Sequence, residues 1–201
     1  MAGAPTLTIT TLSGAATRSA LPALARLRVT VFRDFPYLYE GDTAYEEKYL
    51  AKFLDLPDGT VVVARDGEDV VGASTALPLP KAGKSEQKPF RDNGIDVARV
   101  YYFGESVLMP KYRGKGIGVA FFREREARAR QLGFRTAAFC AVQRPADHSR
   151  RPKDYVPLDD FWAKRGYVKR PDLHTTFSWK DLDEAEESPK PMIFWTKELM
   201  P

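Results

Sequence analysis

The feature that most constrains the fold is a glycine-rich turn between a strand and a helix. Residues 100–109 carry the strongest strand pattern of the chain. Gly114, Gly116 and Gly118 follow it, and a helix is predicted from about residue 116 to 132. Such glycines let backbone amides approach a ligand, and the helix N-terminus adds unpaired N–H groups and a positive dipole end. The sequence therefore predicts a cradle for a pyrophosphate at this turn.

The elements around this turn indicate the fold class. In chain order they are strand 6–12, helices 19–31 and 43–54, strands 60–64, 70–77 and 100–109, helix 116–132, strand 136–142, helix 158–165 and strands 173–179 and 192–196. The order β-α-α-β-β-β-α-β-α-β-β combines an antiparallel meander with one β-α-β crossover. We therefore expect an α+β domain with a mixed, mostly antiparallel sheet.

Length and composition bound the organisation of the chain. A chain of 201 residues, 43% of them hydrophobic, suits one domain over 1–201. The Pro-, Lys- and Gly-rich segment 78–97 is predicted to be an inserted loop, either a lid or a plain surface loop. One cysteine, Cys140, and two histidines exclude a disulfide framework and a structural zinc site, so no metal is expected. Cys140 itself is expected to be an inert apolar residue.

Segregated charge and the lack of a long apolar run indicate the partners. Residues 111–170 hold 16 Lys and Arg against 6 Asp and Glu, whereas residues 34–59 hold 2 against 7. This is either solvated surface, or an anionic ligand in the middle with a cationic one near the acidic segments. Basic runs are not interleaved with aromatics, so no nucleic-acid partner is expected. Without an export signal or a membrane span, we expect a cytoplasmic protein with no membrane partner.

Three motif families use a cradle of this kind. A dinucleotide fingerprint counted from Gly114 would need a glycine where Val119 stands, and a P-loop ending at Ser85 would need one at Pro78. The segment Arg113-Gly-Lys-Gly-Ile-Gly118 resembles the Arg/Gln-x-x-Gly-x-Gly/Ala signature of the GNAT superfamily of acyl-CoA-dependent N-acyltransferases. The preceding Pro110-Lys-Tyr, the element order and the later 161–167 segment extend the resemblance over nearly the whole chain.

The resemblance implies a sheet with helices on both faces and acetyl-CoA as cosubstrate. It implies transfer of an acetyl group to a small-molecule amine by direct attack in a ternary complex. Acetylation of a protein lysine or N-terminus, and a non-catalytic coenzyme A sensor, stay open as alternatives, and exposed strand edges allow a homodimer. The residues that the resemblance places on coenzyme A are Val107, Leu108 and Met109 for the pantetheine arm and Arg113, Gly114, Lys115, Gly116, Ile117 and Gly118 for the pyrophosphate.

Glu105 is the candidate general base. It lies next to Gly104 on the predicted strand, on one face with Phe103, Val107 and Met109. A carboxylate among apolar neighbours is expected to have a raised pKa, which suits a group that takes a proton from an ammonium. Gly104 could mark a bulge that re-aims Glu105. The alternative is a purely structural carboxylate.

The group that protonates the departing thiolate is less clear. Many GNAT members have a tyrosine four residues before the glycine that corresponds to Gly166, but Trp162 stands there, and an indole cannot act as that acid. Tyr155, Tyr167 or water could replace it, and Tyr155 is the candidate we retain.

The acceptor is expected beside the segment that joins the first two helices. Tyr37 and Tyr39 could stack on a cationic amine, and Asp34 and Glu40 would favour a positive substrate. The alternative is that these aromatics are core and these carboxylates are caps. A basic loop could instead bind the nucleotide phosphate or select a carboxylate-bearing substrate; its members are Arg144, His148, Arg150 and Arg151.

Overall fold

The structure is a computed structural model that describes residues 7–12, 14–51 and 56–200. Its strands are β1 (Leu7–Leu12), β2 (Thr60–Asp66), β3 (Asp69–Pro78), β4 (Val100–Leu108), β5 (Thr136–Val142), β6 (Val168–Trp179) and β7 (Ser188–Glu198). Its helices are α1 (Gly14–Phe32), α2 (Thr43–Ala51), α3 (Lys84–Asp92), α4 (Ile117–Gln131) and α5 (Asp159–Ala163). Residue 6 of the predicted first strand and residues 52–54 of the predicted second helix lie outside the described residues.

The seven strands form one sheet in the order β1-β2-β3-β4-β5-β7-β6. The β4–β5 pair is parallel and every other neighbouring pair is antiparallel. This confirms the predicted α+β class with a mixed, mostly antiparallel sheet.

Helices cover both faces of the sheet because the side chains of a strand alternate between them. On β2, Val61 and Val63 pack in a cluster that includes Leu24 and Leu27 of α1. Val62 packs in another cluster, which includes Phe121 of α4. The face covered by α1 and the face covered by α4 are called the α1 face and the α4 face below.

The inserted segment 78–97 is not the loop that its composition indicates. It contains α3, flanked by 3-10 turns at Leu79–Lys81 and Val97–Arg99. Phe90 of α3 is fully buried and stacks edge-on against Phe194 of β7. The sequence does not predict α3, because Pro89 interrupts the pattern and Phe90 is its main apolar residue, which leaves no helical periodicity of apolar positions.

The start of the first helix differs from the predicted residue 19. Helix α1 begins at Gly14, and Ser19 Oγ donates to Ala16 O within it. Helix α2 begins at the predicted residue 43 and is capped by Asp42, whose carboxylate accepts the N–H of Tyr45 at 2.8 Å.

Strands β4 and β5 diverge in the middle of the sheet. In the described part of the chain they pair only where Val100–Tyr102 meets residues 136–138. Beyond that point β5 continues to pair with β7, and β4 continues to pair with β3. The edge of β4 from residue 104 to residue 108 therefore faces a wedge, called the β4–β5 wedge below.

Candidate active site

The glycine-rich turn carries a set of open backbone amides. Gly114 and Gly116 have φ angles of 77° and 80°, and a Cβ at either position would meet no atom within 4 Å. Among the described residues, the N–H groups of Gly114, Lys115 and Gly116 have no protein acceptor. The first amides of α4 add to them, since a helix leaves these unpaired. The turn therefore presents N–H groups to an anion.

Two contacts fix this turn on the sheet and raise its positive charge. Tyr112 Oη donates to Asp66 at the end of β2, at 2.5 Å. The ammonium groups of Lys111 and Lys115 lie 4.9 and 5.1 Å from the centre of the Tyr112 ring. The ring thus holds two cations beside the open amides.

The lack of a side chain at Gly118 matters for the packing of two helices rather than for the approach of a ligand. A Cβ at this position would lie 3.2 Å from the ring of Phe161 in α5. The absence of a side chain at Gly118 therefore lets α5 pack against the start of α4.

The edge of β4 offers fewer backbone groups than expected. Met109 was expected to pair with the pantetheine arm, but its N–H donates to Val71 O and its C=O accepts from Tyr112, both at 2.9 Å. The Met109 N–H is therefore not available to a pantetheine arm, while its carbonyl oxygen keeps a second lone pair. Because successive residues of a strand direct their backbone groups to opposite edges, the N–H of Leu108 faces the β4–β5 wedge.

A β-bulge sits where β4 enters this wedge. Ala76 faces Phe103 and Ser74 faces Ser106, so Thr75 stands opposite both Gly104 and Glu105. The bulge expected at Gly104 is confirmed. It adds one residue to β4 and therefore reverses the alternation of side chains beyond it.

The bulge separates side chains that a regular strand would keep on one face. Phe103 packs on the α4 face, next to Phe122 and Tyr167. Val107 packs in the cluster of the α1 face, and Glu105 reaches Arg28 of α1. The expectation that Phe103 and Glu105 share a face is therefore wrong.

The carboxylate of Glu105 is paired with a cation. Arg28 Nη1 lies 2.9 Å from Glu105 Oε1, and the two side chains are 11% and 6% exposed. Arg28 also bonds to the buried carboxylate of Glu46 in α2, and it lies over the rings of Phe32 and Tyr49 at 5.0 and 4.6 Å. The expected apolar surroundings of Glu105 are therefore wrong, because one guanidinium links it to a second carboxylate.

Buried phenols surround this ion-pair cluster. Desolvation raises the pKa of Tyr37, Tyr49 and Tyr102 far above the usual value for a phenol. Desolvation and the nearby carboxylate of Glu46 also raise the pKa of Tyr39. Tyr102 Oη lies 3.3 Å from the sulfur of Cys140. These hydroxyls therefore remain protonated at neutral pH.

Long-range contacts from Arg144, Trp179 and Asp181 help to hold the segment 33–42 that carries Tyr37 and Tyr39. Arg144 donates to the carbonyls of Pro36 and Tyr37, both at 2.8 Å. Trp179 Nε1 donates to the same Tyr37 carbonyl at 3.0 Å. Tyr39 forms a β-bridge with Asp181, whose carboxylate binds Arg144. Arg144 is thus a structural anchor in this structure, unlike the ligand-binding role considered for its loop.

The predicted acceptor residues divide into two groups. Tyr37 and Tyr39 lie against the core cluster of the α1 face, and Arg28 and Glu105 both act electrostatically on the phenol of Tyr37. Glu40 is instead at the surface, where it pairs with Lys180 at 2.6 Å. Asp34 is exposed, and its carbonyl accepts the N–H of Tyr37.

Tyr155 and Trp162 differ in their surroundings. Tyr155 stacks edge-on against Phe35 at 4.7 Å, and desolvation raises its pKa. No contact among the described residues joins Tyr155 to Glu105. Trp162 packs against Phe139 and Trp195 at 5.1 and 5.2 Å, so it is part of the core on the α4 face.

Three buried charged residues of the site were missed by the sequence reasoning. They are Arg28, Glu46 and Arg125. Two of them carried a signal, because each arginine stands four residues after a buried apolar residue of its own helix, Leu24 in α1 and Phe121 in α4. A charge on the apolar stripe of a helix indicates a buried polar partner.

The described ranges of the chain contain no group of three or more His, Cys, Asp and Glu side chains placed to hold a metal ion. None of the helices described here combines the length and hydropathy that a bilayer span requires.

Comparison with known proteins gives one family match. A sequence model described as the acetyltransferase (GNAT) family matches residues 24–151. No curated protein matches the chain in sequence.

Among solved structures, one similar fold is an aminoglycoside 6'-N-acetyltransferase complexed with coenzyme A, with 15% identity, a TM-score of 0.62 and coverage of 96% of this chain and 98% of that one. Another is the ribosomal-protein-alanine N-acetyltransferase from Brucella melitensis, with 14% identity, a TM-score of 0.62 and coverage of 96% of this chain and 99% of that one. A third is yncA from Salmonella typhimurium with its cofactor acetyl-CoA, with 13% identity, a TM-score of 0.60 and coverage of 96% of this chain and 94% of that one. At these identities the likeness shows the fold alone.

Proposed function

The chain belongs to the acetyltransferase (GNAT) family, and we propose that it transfers an acetyl group from acetyl-CoA to the amine of a small molecule, with donor and acceptor bound together for direct attack. The observation that carries the proposal is that open backbone amides follow directly after β4, the strand that carries a buried carboxylate. The amides belong to Gly114–Gly116 and the start of α4, and the carboxylate is that of Glu105.

The residues present fit the donor. Acetyl-CoA, when bound, supplies the acetyl group as an activated thioester. The amides of Gly114, Lys115, Gly116, Ile117 and Gly118 would hold its pyrophosphate, since the space beside Gly114 and Gly116 is open. The side chains of Arg113 and Lys115 would add positive charge, while the Arg113 N–H already donates to Pro110 O. Val107 and Leu108 border the wedge, and the N–H of Leu108 would donate to an oxygen there.

Glu105 would act as the general base. Arg28 engages its Oε1, and no contact among the described residues engages Oε2. Oε2 is therefore the atom that would take the proton of the acceptor ammonium, while Arg28 keeps the carboxylate in place. Tyr155 would act as the acid, because its phenol is protonated at neutral pH and can donate that proton to the departing thiolate.

Burial favours a small acceptor over a protein. The side chains of Glu105 and Arg28 are nearly closed off from solvent, and Tyr37 and Tyr39 lie against the same core. A protein lysine or N-terminus needs an open groove for the chain that carries it. A small amine whose cation contacts Tyr37 or Tyr39 fits the site better, with Asp34 and Glu40 adding negative charge outside it.

An acceptor panel tests the proposal. The purified protein is incubated with acetyl-CoA and spermidine, tyramine, kanamycin or a lysine-containing peptide with a free N-terminus. Thiol release gives the rate, and mass spectrometry identifies the acetylated product. We expect turnover with a small amine that exceeds turnover with the peptide. Turnover with the peptide alone would contradict the small-molecule acceptor, and binding of acetyl-CoA without any acetylated product would favour the sensor.

A further inference from the structure

A buried arginine spans the β4 bulge on the α4 face. Arg125 is 1% exposed. Its Nη1 donates to the carbonyls of Thr75 and Glu105 at 3.3 and 3.2 Å, and its Nη2 donates to Ser106 Oγ at 2.8 Å. Its Nε donates to Phe121 O within its own helix, at 3.1 Å. All four acceptors are neutral oxygens.

The bulge accounts for these contacts. Where two residues of β4 face Thr75 alone, the regular ladder of hydrogen bonds is interrupted. A buried carbonyl without a partner is costly, and the planar fork of a guanidinium can serve several acceptors at once. Burial lowers the pKa of Arg125 to about 10, so the guanidinium is still charged at neutral pH. Its position 4.2 Å from the centre of the Phe103 ring adds a cation–π contact.

We propose that Arg125 is a positioning residue for Glu105, which fixes the β4 bulge and thereby aims the catalytic carboxylate. This inference rests on the proposed function of Glu105. The residue is held from both faces of the sheet: Arg28 binds its carboxylate on the α1 face, and Arg125 binds its carbonyl on the α4 face. Without Arg125, the bulge would be free to relax toward a regular strand, which turns residue 105 toward the other face.

The test is a double-mutant cycle with Glu105. Arg125→Lys keeps a cation but loses the fork, and Arg123→Lys on the exposed side of α4 is the matched control. Thiol release from acetyl-CoA is measured with whichever of spermidine, tyramine and kanamycin the protein acetylates fastest. If the protein acetylates none of the three amines, the rate of acetyl-CoA hydrolysis by water is measured instead. Arg125→Lys is expected to lower kcat roughly tenfold or more, because small misplacements of a catalytic group are costly. Its dissociation constant for acetyl-CoA is expected to stay within about threefold of the parent, since the open amides are untouched.

The background of Glu105→Gln separates positioning from general stability. In that background Arg125→Lys is expected to lower the rate by less than about twofold, because the group that it positions is already gone. Equal losses in both backgrounds, or a parental kcat for Arg125→Lys, would overturn the inference. If Glu105→Gln alone retains full turnover, the proposed base is wrong and the inference falls with it. If Glu105→Gln loses its turnover and Arg125→Lys keeps the parental turnover, the inference about Arg125 is overturned while the proposed base stands.

A second variant covers the case in which Arg125→Lys does not fold. Ser106→Ala leaves the arginine in place and removes one acceptor, at the 2.8 Å contact. We expect a kcat loss of roughly threefold that disappears in the Glu105→Gln background. Amide hydrogen exchange at residues 104–106 should also accelerate, while the amides of α4 keep their protection. Unchanged kcat and unchanged exchange in Ser106→Ala would contradict the role of Arg125.

Discussion

Arg28 Nη1 lies 2.9 Å from Glu105 Oε1, and this ion pair joins the first helix to the bulged strand. The same guanidinium binds Glu46, which is 1% exposed. One cation therefore stands between two buried carboxylates. The rings of Phe32 and Tyr49 therefore contact a cation of the protein itself, the guanidinium of Arg28.

Glu105→Gln is expected to lower turnover by about 100-fold or more, since general base catalysis contributes on that scale. The affinity for acetyl-CoA should not change, because the open amides lie on another segment. Steady-state thiol release and calorimetry measure the two quantities. Glu68→Gln, at the exposed β2–β3 turn, is the control. Unchanged turnover in Glu105→Gln would remove this residue from the mechanism.

Arg28→Met is expected to lower the free energy of unfolding by about 3 kcal/mol, because it leaves Glu46 and Glu105 buried without their cation. Urea denaturation measures the loss. Arg26→Met, on the exposed side of the same helix, should change stability by less than about 0.5 kcal/mol. The double variant Arg28→Met/Glu46→Gln should recover part of the loss, and a double variant as unstable as the sum of the single ones would contradict the pairing.

The fold and the donor turn were predictable because their signals are local. The strand, the glycines and the following helix lie within one stretch, 100–131, and each signal is read from neighbouring residues. Gly104 likewise indicated the bulge. The consequences of the bulge were not predictable, because they depend on which face of the sheet each helix covers.

The partners of Glu105 were not predictable for the same reason. Arg28 lies 77 positions before it and Arg125 lies 20 positions after it. Each arginine reaches Glu105 only through the packing of its helix on one face of the sheet. Likewise, nothing near Arg144 in the sequence shows that its guanidinium binds carbonyls more than 100 residues away.

Cys140 should resist alkylation in the native protein. Burial raises the pKa of its thiol to about 12, so at pH 8 roughly one molecule in ten thousand carries the reactive thiolate. Reaction with iodoacetamide, followed by mass spectrometry, should be much slower for native protein than for protein in urea. Equal rates in the two states would show that this thiol is accessible and ionised.

Acid should weaken the contacts that anchor segment 33–42. The hydrogen bond from Lys190, with those from Ser188 and the Asp181 N–H, lowers the pKa of Glu184 from 4.5 to about 2. A carboxylate with a depressed folded-state pKa contributes stability above its unfolded value, and that contribution is lost as the pH falls from about 5 to about 2. The melting temperature of Glu184→Gln should therefore fall less steeply with acid than that of the parent.

The matched control for this effect is Glu186→Gln, at an exposed neighbouring position. Its melting temperature should follow the parent curve throughout the acid range. Parallel curves for Glu184→Gln and the parent would show that Glu184 is not stabilised in the folded protein.

The most direct test of the central claim is a calorimetric titration with acetyl-CoA of the parent, Gly116→Asp and Gly94→Asp. Both glycines have a positive φ and open space around them, so the two substitutions impose similar backbone strain. Only Gly116→Asp places a carboxylate beside the open amides. We predict a dissociation constant on the order of micromolar for the parent and for Gly94→Asp, and no measurable binding for Gly116→Asp. Equal binding by all three proteins, or no heat from the parent at millimolar acetyl-CoA, would contradict the donor site.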